Sequence, residues 1–223
     1  MTSFTDDPGP QLDPGTRRTN FVAYYDAESA DRSRRPVPEW RRAAQEEFLA
    51  RLADERRRTV LELGCGPGRD GEVIAAAGFE YAGTDLSPGM VDVARTAGLD
   101  ARVASATDLP FDDGSFEAAW SMSMLMHLDD AELDLALAQI SRVLVPGAPF
   151  AVGMWGASQL TVGHVSDGED YGPPRYFHRR TDAMVRERLG RHGDIETWWT
   201  RPSRPGSSHH YQYAVVRTFS RGG

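Results

Sequence analysis

The 223-residue chain is 40% hydrophobic, has a formal charge of -8 and contains one cysteine, Cys65. That length supports one sizeable core and one domain. The single thiol excludes an intramolecular disulfide and a cysteine-rich metal site, and an acidic chain has no bulk attraction to a nucleic-acid backbone. All 25 basic residues are arginine, which rules out Schiff-base or P-loop lysine chemistry, and no apolar run reaches the roughly 18 residues of a membrane span.

Residues Met1 to Asn20 are polar and broken by Pro8, Gly9, Pro10, Pro14 and Gly15. They have neither the basic start nor the apolar stretch of a secretory signal. They read as a disordered tail ahead of a single domain over 21–223, in a cytoplasmic protein. Trp40, Ala44, Phe48 and Leu52 recur at every fourth position, which predicts a helix over Glu39 to Arg58. Arg56, Arg57 and Arg58 then complement the helix dipole as a solvated helix end, or form a phosphate site. Beyond them strands and helices alternate. Strands are expected at Thr59 to Leu63, Tyr81 to Leu86, Ala101 to Ser105, Phe116 to Ser123 and Pro149 to Trp155. Helices are expected at Asp70 to Ala77, after Ser87-Pro88 as far as Gly98, and at Asp129 to Leu144. The segment Gly156 to Arg180 reads as a loop and Thr181 to Leu189 as a helix. Ile195 to Thr200 and His209 to Phe219 read as an antiparallel pair. The fold class expected is α/β, a Rossmann-like doubly wound sheet of seven strands, mostly parallel, with an antiparallel C-terminal hairpin strand.

The chemistry concentrates at Glu62-Leu63-Gly64-Cys65-Gly66-Pro67-Gly68-Arg69-Asp70, between a strand and a helix. Glycines there let backbone pass close to a ligand. A dinucleotide G-x-G-x-x-G fails because Arg69 stands at the third glycine; a tight turn without ligand is the plain rival. Asp85 closes the second strand, where a carboxylate accepts both ribose hydroxyls. As a helix cap it is less well placed than Ser87.

These residues resemble motif I of the class I S-adenosylmethionine (SAM)-dependent methyltransferases. Gly83-Thr84-Asp85-Leu86-Ser87 resembles their second motif. The run Ser105 to Phe111, followed by Asp113, Ser115 and Phe116, resembles their third region. Arg142 to Gly147 resembles the approach to strand five. The resemblance implies SAM as cofactor. Gly64 and Gly66 would pack on its methionine part, Asp85 would hold the ribose, Leu86 would lie on the adenine, and the Ala106 amide would meet the ring. Ser105 stands where the family commonly has Asp. Glu62, Cys65, Met90 and Thr107 complete the cofactor set, with Ser121 near the sulfonium. Tyr25 sits where related enzymes close a helical lid, placed here over 21–58; otherwise it is a packed aromatic.

His127, just past strand four, is the candidate catalytic base; its rival role is to cap the following helix. Met122, Met124 and Met126 form a soft substrate wall or ordinary lining. The loop 156–180 is expected to cover the acceptor, and its segment Asp167 to Phe177 resembles one in small-molecule methyltransferases. Candidate acceptor-binding residues are Met122, Met126, Trp155, His164, Tyr171 and Arg175. Arg175 would hold a carboxylate or pair with Glu169 or Asp170. His164 is a second candidate base. No metal is expected, since His164, Asp167 and His178 match no ligand spacing. The function expected is methyl transfer to an O or N atom of a small molecule, by a monomer or homodimer with no nucleic-acid or membrane partner. A protein or RNA methyltransferase, or a SAM-binding protein without methyl transfer, is the alternative. No Asn/Asp-Pro-Pro-Tyr run occurs near Trp120 to Met124.

Overall fold

Helix α1 of the computed structural model runs from Pro14 to Arg34, so it reaches into the segment expected to be a tail up to Asn20. The structure describes residues 12–165 and 171–219; residues 1–11 of that tail lie outside it. The proline and glycine that suggested a tail open the helix instead. Asp13 caps it, accepting the Thr16 amide at 3.0 Å, and Pro14 falls in the first turn, where its missing N–H has no partner to lose. Helix α2 spans Glu39–Asp54 and buries Ala44, Phe48 and Leu52 as the spacing requires. It stops short of Arg58 because Arg56 takes a φ of +56°. Arg57 turns back to Glu55 and to the Gly147 carbonyl at 3.0 Å, which ties the helix end to the sheet.

The main sheet follows. Its strands are β1 (Thr59–Leu63), β2 (Glu80–Asp85), β3 (Ala101–Val103), β4 (Ala118–Met122) and β5 (Pro149–Ala157). Two further strands outside this sheet, β6 (Thr161–Val165) and β7 (Arg175–Arg179), come next, then β8 (Gly193–Pro202) and β9 (His209–Thr218). The order β3-β2-β1-β4-β5-β9-β8 makes one seven-stranded sheet. It is parallel through β5 and antiparallel at β9 and β8, as the sequence implies. β4 is buried along its whole length, which fits a central parallel strand covered on both faces. On one face α2 and α3 (Arg69–Ala76) pack on Val60, Ala118 and Trp120. On the other, α5 (Asp130–Val143) and α6 (Asp182–Gly190) pack on Leu61, Leu63 and Val152. Helix α4 (Pro88–Thr96) is capped by Ser87 Oγ, which accepts the Met90 amide at 3.1 Å.

The segment 156–180 is not simply a loop. β5 continues to Ala157, and β6 and β7 form an antiparallel hairpin, pairing Val165 with Arg175 and Thr161 with Arg179. Residues 166–170, and with them Asp167, Glu169 and Asp170, lie outside the described part. β7 is buried at four of its five positions because it packs under α1 and against β5, which local pattern does not show.

Candidate functional site

The strand order reverses between β1 and β4, so the connections leaving their carboxyl ends diverge and open a crevice. The glycine loop enters it from β1. The Gly64 and Cys65 amides both donate to the Thr84 carbonyl, at 2.8 and 3.0 Å, which pins the loop to β2. Gly64 has a φ of +69°, and a Cβ there would meet Met124 at 2.5 Å. Gly66 has a φ of +54°, and a Cβ there would meet nothing within 4 Å: the loop cradles open space.

Three cavities adjoin along the underside of α1. The largest, about 330 Å³, lies between Gly15, Arg18 and Phe21 of α1 and the residues Asp85, Leu86, Ser105, Ala106 and Thr107. The second, about 40 Å³, continues past Gly64, Cys65 and Gly66 to Arg32, Arg41, Arg69, Met90 and Met122. Gly64 and Asp85 line both. The third, about 300 Å³, is walled by Met126, Trp155, Arg175, Phe177 and Arg179. Tyr25 and Ser123 line both the second and the third.

Asp85 stands at the junction of the first two. Its carboxylate accepts the Gly66 and Ser87 amides, each at 2.9 Å. Burial raises its pKa against those two donors. Two further acidic groups behave differently. Glu62 lines none of the cavities; buried, it accepts the Tyr81 hydroxyl at 2.7 Å, and burial pushes its carboxyl well above the usual range. It therefore supports the loop from behind and is a wall of none of the three cavities. The Cys65 thiol does face the second cavity, with its pKa pushed up by burial, which makes it a packing group and not a nucleophile.

Other expected positions also shift. Ser121 is fully buried and donates to the Leu63 carbonyl at 3.1 Å, because period-two alternation turns it into the sheet. Ser123, two residues on, is the serine in the crevice. It holds a φ of +63°, rare for a residue with a side chain. Its amide is tied to the Gly153 carbonyl at 2.7 Å and its hydroxyl to Tyr211 at 3.1 Å. Met122 lines the second cavity, whereas Met126 lines the third. His164 lies on β6 beside Tyr176 and is not among the described lining residues of these three cavities. Tyr171 packs on Tyr24 and donates to Asp31 at 2.7 Å, outside the cavities.

His127 sits on a single 3-10 turn, Leu125–His127. It does not cap α5: Asp129 and Glu132 form that capping box between themselves. Its Nδ1 is 2.8 Å from the Tyr176 carbonyl, so Nδ1 carries the hydrogen and Nε2 accepts the Tyr25 hydroxyl at 3.2 Å. Arg175 donates to the same Tyr25 oxygen at 3.1 Å. Burial, with Arg175, Arg32 and Arg179 nearby, lowers the His127 pKa to about 3. Both nitrogens are engaged; the ring lines the largest cavity, and it touches the third through Tyr25 and Phe177, which wall it.

Some wall residues carry no sequence signal. Phe21, Arg32 and Arg41 enter only because α1 and α2 fold across the crevice. Arg69 showed itself only as the residue that breaks a dinucleotide motif. Tyr176 and Arg179 depend on the hairpin.

A doubly wound sheet with a glycine loop and a strand-end carboxylate at its switch point defines an α/β protein built to hold a nucleoside-containing cofactor. Residues 60–147 match the family model described as a methyltransferase domain. O-methyltransferase resE of Aspergillus sclerotiorum is 35% identical over 115 residues, 48% of this chain and 43% of its own length. Among solved structures, the Burkholderia thailandensis 1,6-didemethyltoxoflavin-N1-methyltransferase, solved with its substrate and S-adenosylhomocysteine (SAH), superposes with a TM-score of 0.74. It is 19% identical, with 97% of this chain and 95% of that one covered. The [4+2]-cyclase SpnF superposes with a TM-score of 0.67 at 18% identity, covering 96% of this chain and 100% of that one. Over residues 60–147 the chain is therefore similar to methyltransferase domains, and its fold is that of the SAM-dependent methyltransferase structures. The chain spans about half the length of the curated relatives it matches. Among the described residues no helix is long and apolar enough to cross a membrane.

Proposed function

We propose that this protein transfers the methyl group of SAM to an oxygen or nitrogen of a small molecule. The observation that carries this reading is the shared wall of Tyr25 and Ser123. It opens the cofactor side of the crevice onto a separate cavity of about 300 Å³, small-molecule in size. The residues present fit the cofactor: Gly66 cradles open space, and Asp85 stands where a ribose passes between two cavities. Leu86, Ala106 and Thr107 would take the adenine, Gly64 to Gly66 the methionine chain, and Arg69 its carboxylate.

SAM supplies a methyl group already activated on sulfur. What remains for the chain is alignment and exclusion of water. Helix α1 closes the crevice. Asp26 accepts the Gly89 amide at 2.8 Å at the start of α4, and Arg17 pairs with Asp129 at 2.6 Å. Tyr25 presents its hydroxyl toward the acceptor side, and His127 holds that hydroxyl from behind. His127 is therefore a positioning residue in this reading, and the acceptor-facing role passes to Tyr25.

The test is transfer of label from methyl-labelled SAM to fractions of a small-molecule extract. The fold also houses a cyclase, so cofactor binding without any labelled product would favour a SAM-binding protein of another activity. For the cofactor site itself, Asp85→Ala should weaken SAH affinity by about 1–3 kcal/mol, from the lost charge-assisted hydrogen bonds. Calorimetry giving wild-type affinity in a folded variant would remove Asp85 from the site.

A further inference from the structure

We infer that Ser123 positions the methyl acceptor: its hydroxyl oxygen takes the hydrogen of an uncharged N–H group, and the lone pair of that nitrogen is left facing the cofactor. Calling the third cavity the acceptor side rests on the methyl-transfer reading. Ser123 stands at the opening between the second and third cavities, on the wall of both, and is half-buried there.

The backbone gives the first reason. Among the described residues, only Ser123 and Arg56 hold a positive φ without being glycine. Arg56 lies just past the end of α2, where a left-handed residue commonly closes a helix. Ser123 lies between β4 and the turn Leu125–His127, and its φ of +63° would be easier for glycine. Strain kept beside a cavity marks a side chain in use.

The hydrogen bonds say how it is used. The buried Tyr211 ring is held between Trp40 and Trp155, at centroid distances of 4.6 and 5.2 Å. Its hydroxyl is 3.6 Å from Met122 Sδ and 3.1 Å from Ser123 Oγ. Gly153 makes room for it, since a Cβ there would meet the Tyr211 oxygen at 2.5 Å. Burial raises the Tyr211 pKa, so the phenol keeps its one hydrogen. A thioether sulfur can only accept. With Tyr211 donating to Met122, Ser123 donates to Tyr211, and the Ser123 oxygen keeps its lone pairs for a donor in the opening.

An N–H group suits such an oxygen. A carboxylate, a phosphate dianion or a tertiary amine has no hydrogen to give it. An alcohol has one, but must lose that proton as the new bond forms, and both His127 nitrogens are already engaged. A neutral amine needs no base at that moment. Its lone pair forms the bond to the methyl carbon, and the carbon–sulfur pair returns to sulfur to leave SAH. The positive charge passes to nitrogen, and the surplus proton leaves to water afterwards.

The test is calorimetric titration of SAH-saturated protein with aniline and with N,N-dimethylaniline, two neutral probes that differ in their N–H hydrogens. The ratio of aniline to N,N-dimethylaniline affinity should fall by about tenfold in Ser123→Ala and in Ser123→Gly, from one lost hydrogen bond. SAH lacks the methyl that Ser123 faces, so its affinity should stay within about threefold. Both variants lack the hydroxyl, and glycine tolerates the backbone, so Ser123→Gly should melt about 2–4 °C above Ser123→Ala. A serine that served only the turn would give a different pattern, in which glycine keeps the wild-type ratio. That pattern, a ratio unchanged in both folded variants, or no probe binding to wild-type protein would each overturn the proposal. So would a product of methyl-labelled SAM and extract that carries its label on oxygen. No labelled product at all, with the ratio still dependent on Ser123, would instead overturn the methyl-transfer reading and leave the N–H site standing.

Discussion

Gly66→Val should abolish detectable SAH binding, a loss of about 100-fold or more, equivalent to roughly 2.7 kcal/mol. Two effects act together. The Cβ at position 66 projects into open space between the glycine loop and the lid helix, so a branched side chain would occupy volume the ligand needs. The backbone there also has a φ of +54°, which costs a β-branched residue about 1–2 kcal/mol. Gly147→Val separates the two. Gly147 has a φ of +73° with nothing within 4 Å of a Cβ and lies on no cavity wall, so it carries the backbone cost alone. A melting temperature lowered in both variants, with SAH binding lost only in Gly66→Val, is the expected pair of results. Equal SAH affinity in the two would mean that the loop does not hold the cofactor.

Acid should destabilise the fold steeply, and His127 should account for much of the slope. Its pKa of about 3 in the folded chain lies below the ordinary value of 6.5. Between those values the unfolded chain binds a proton that the native one does not, so stability rises with pH across the window and is lost as pH falls from 6.5 toward 3. One such histidine contributes up to about 1.4 kcal/mol per pH unit. His178, held near 4 mainly by burial and by Arg180, adds to the same slope over a narrower window. Urea unfolding at pH steps within that window should show the fall, and His127→Gln should flatten it by about one proton's worth. The same lowered pKa predicts no His127 ionisation near neutrality in the pH–rate profile. A neutral inflection that disappears in His127→Gln would restore the histidine as a base.

Local pattern alone specified much of this protein. The boundaries of β1, the Ser87-Pro88 start of α4 and the antiparallel β9–β8 pair follow from a short apolar run, capping chemistry and turn composition, which act over a few residues. The glycine loop and Asp85 were legible because closely spaced glycines after a strand and a carboxylate at a strand end are themselves local features of the sequence. The wall of the third cavity was not legible in that way. The start of α1, up to Asn20, looked like a tail because Pro14 and Gly15 are both breakers and helix starters, and the contact of Arg17 with Asp129 settles which. Ser121 and Ser123 differ only in which way a strand end turns, and that is fixed by the tie to Gly153 on β5. His127 carries the residue type of a base. Its burial and its partners Tyr25 and Tyr176, about 100 and 50 residues away along the chain, leave it neutral with both nitrogens engaged. A side chain's proton affinity depends on solvent exclusion and on neighbours brought together by folding, and no local pattern encodes either.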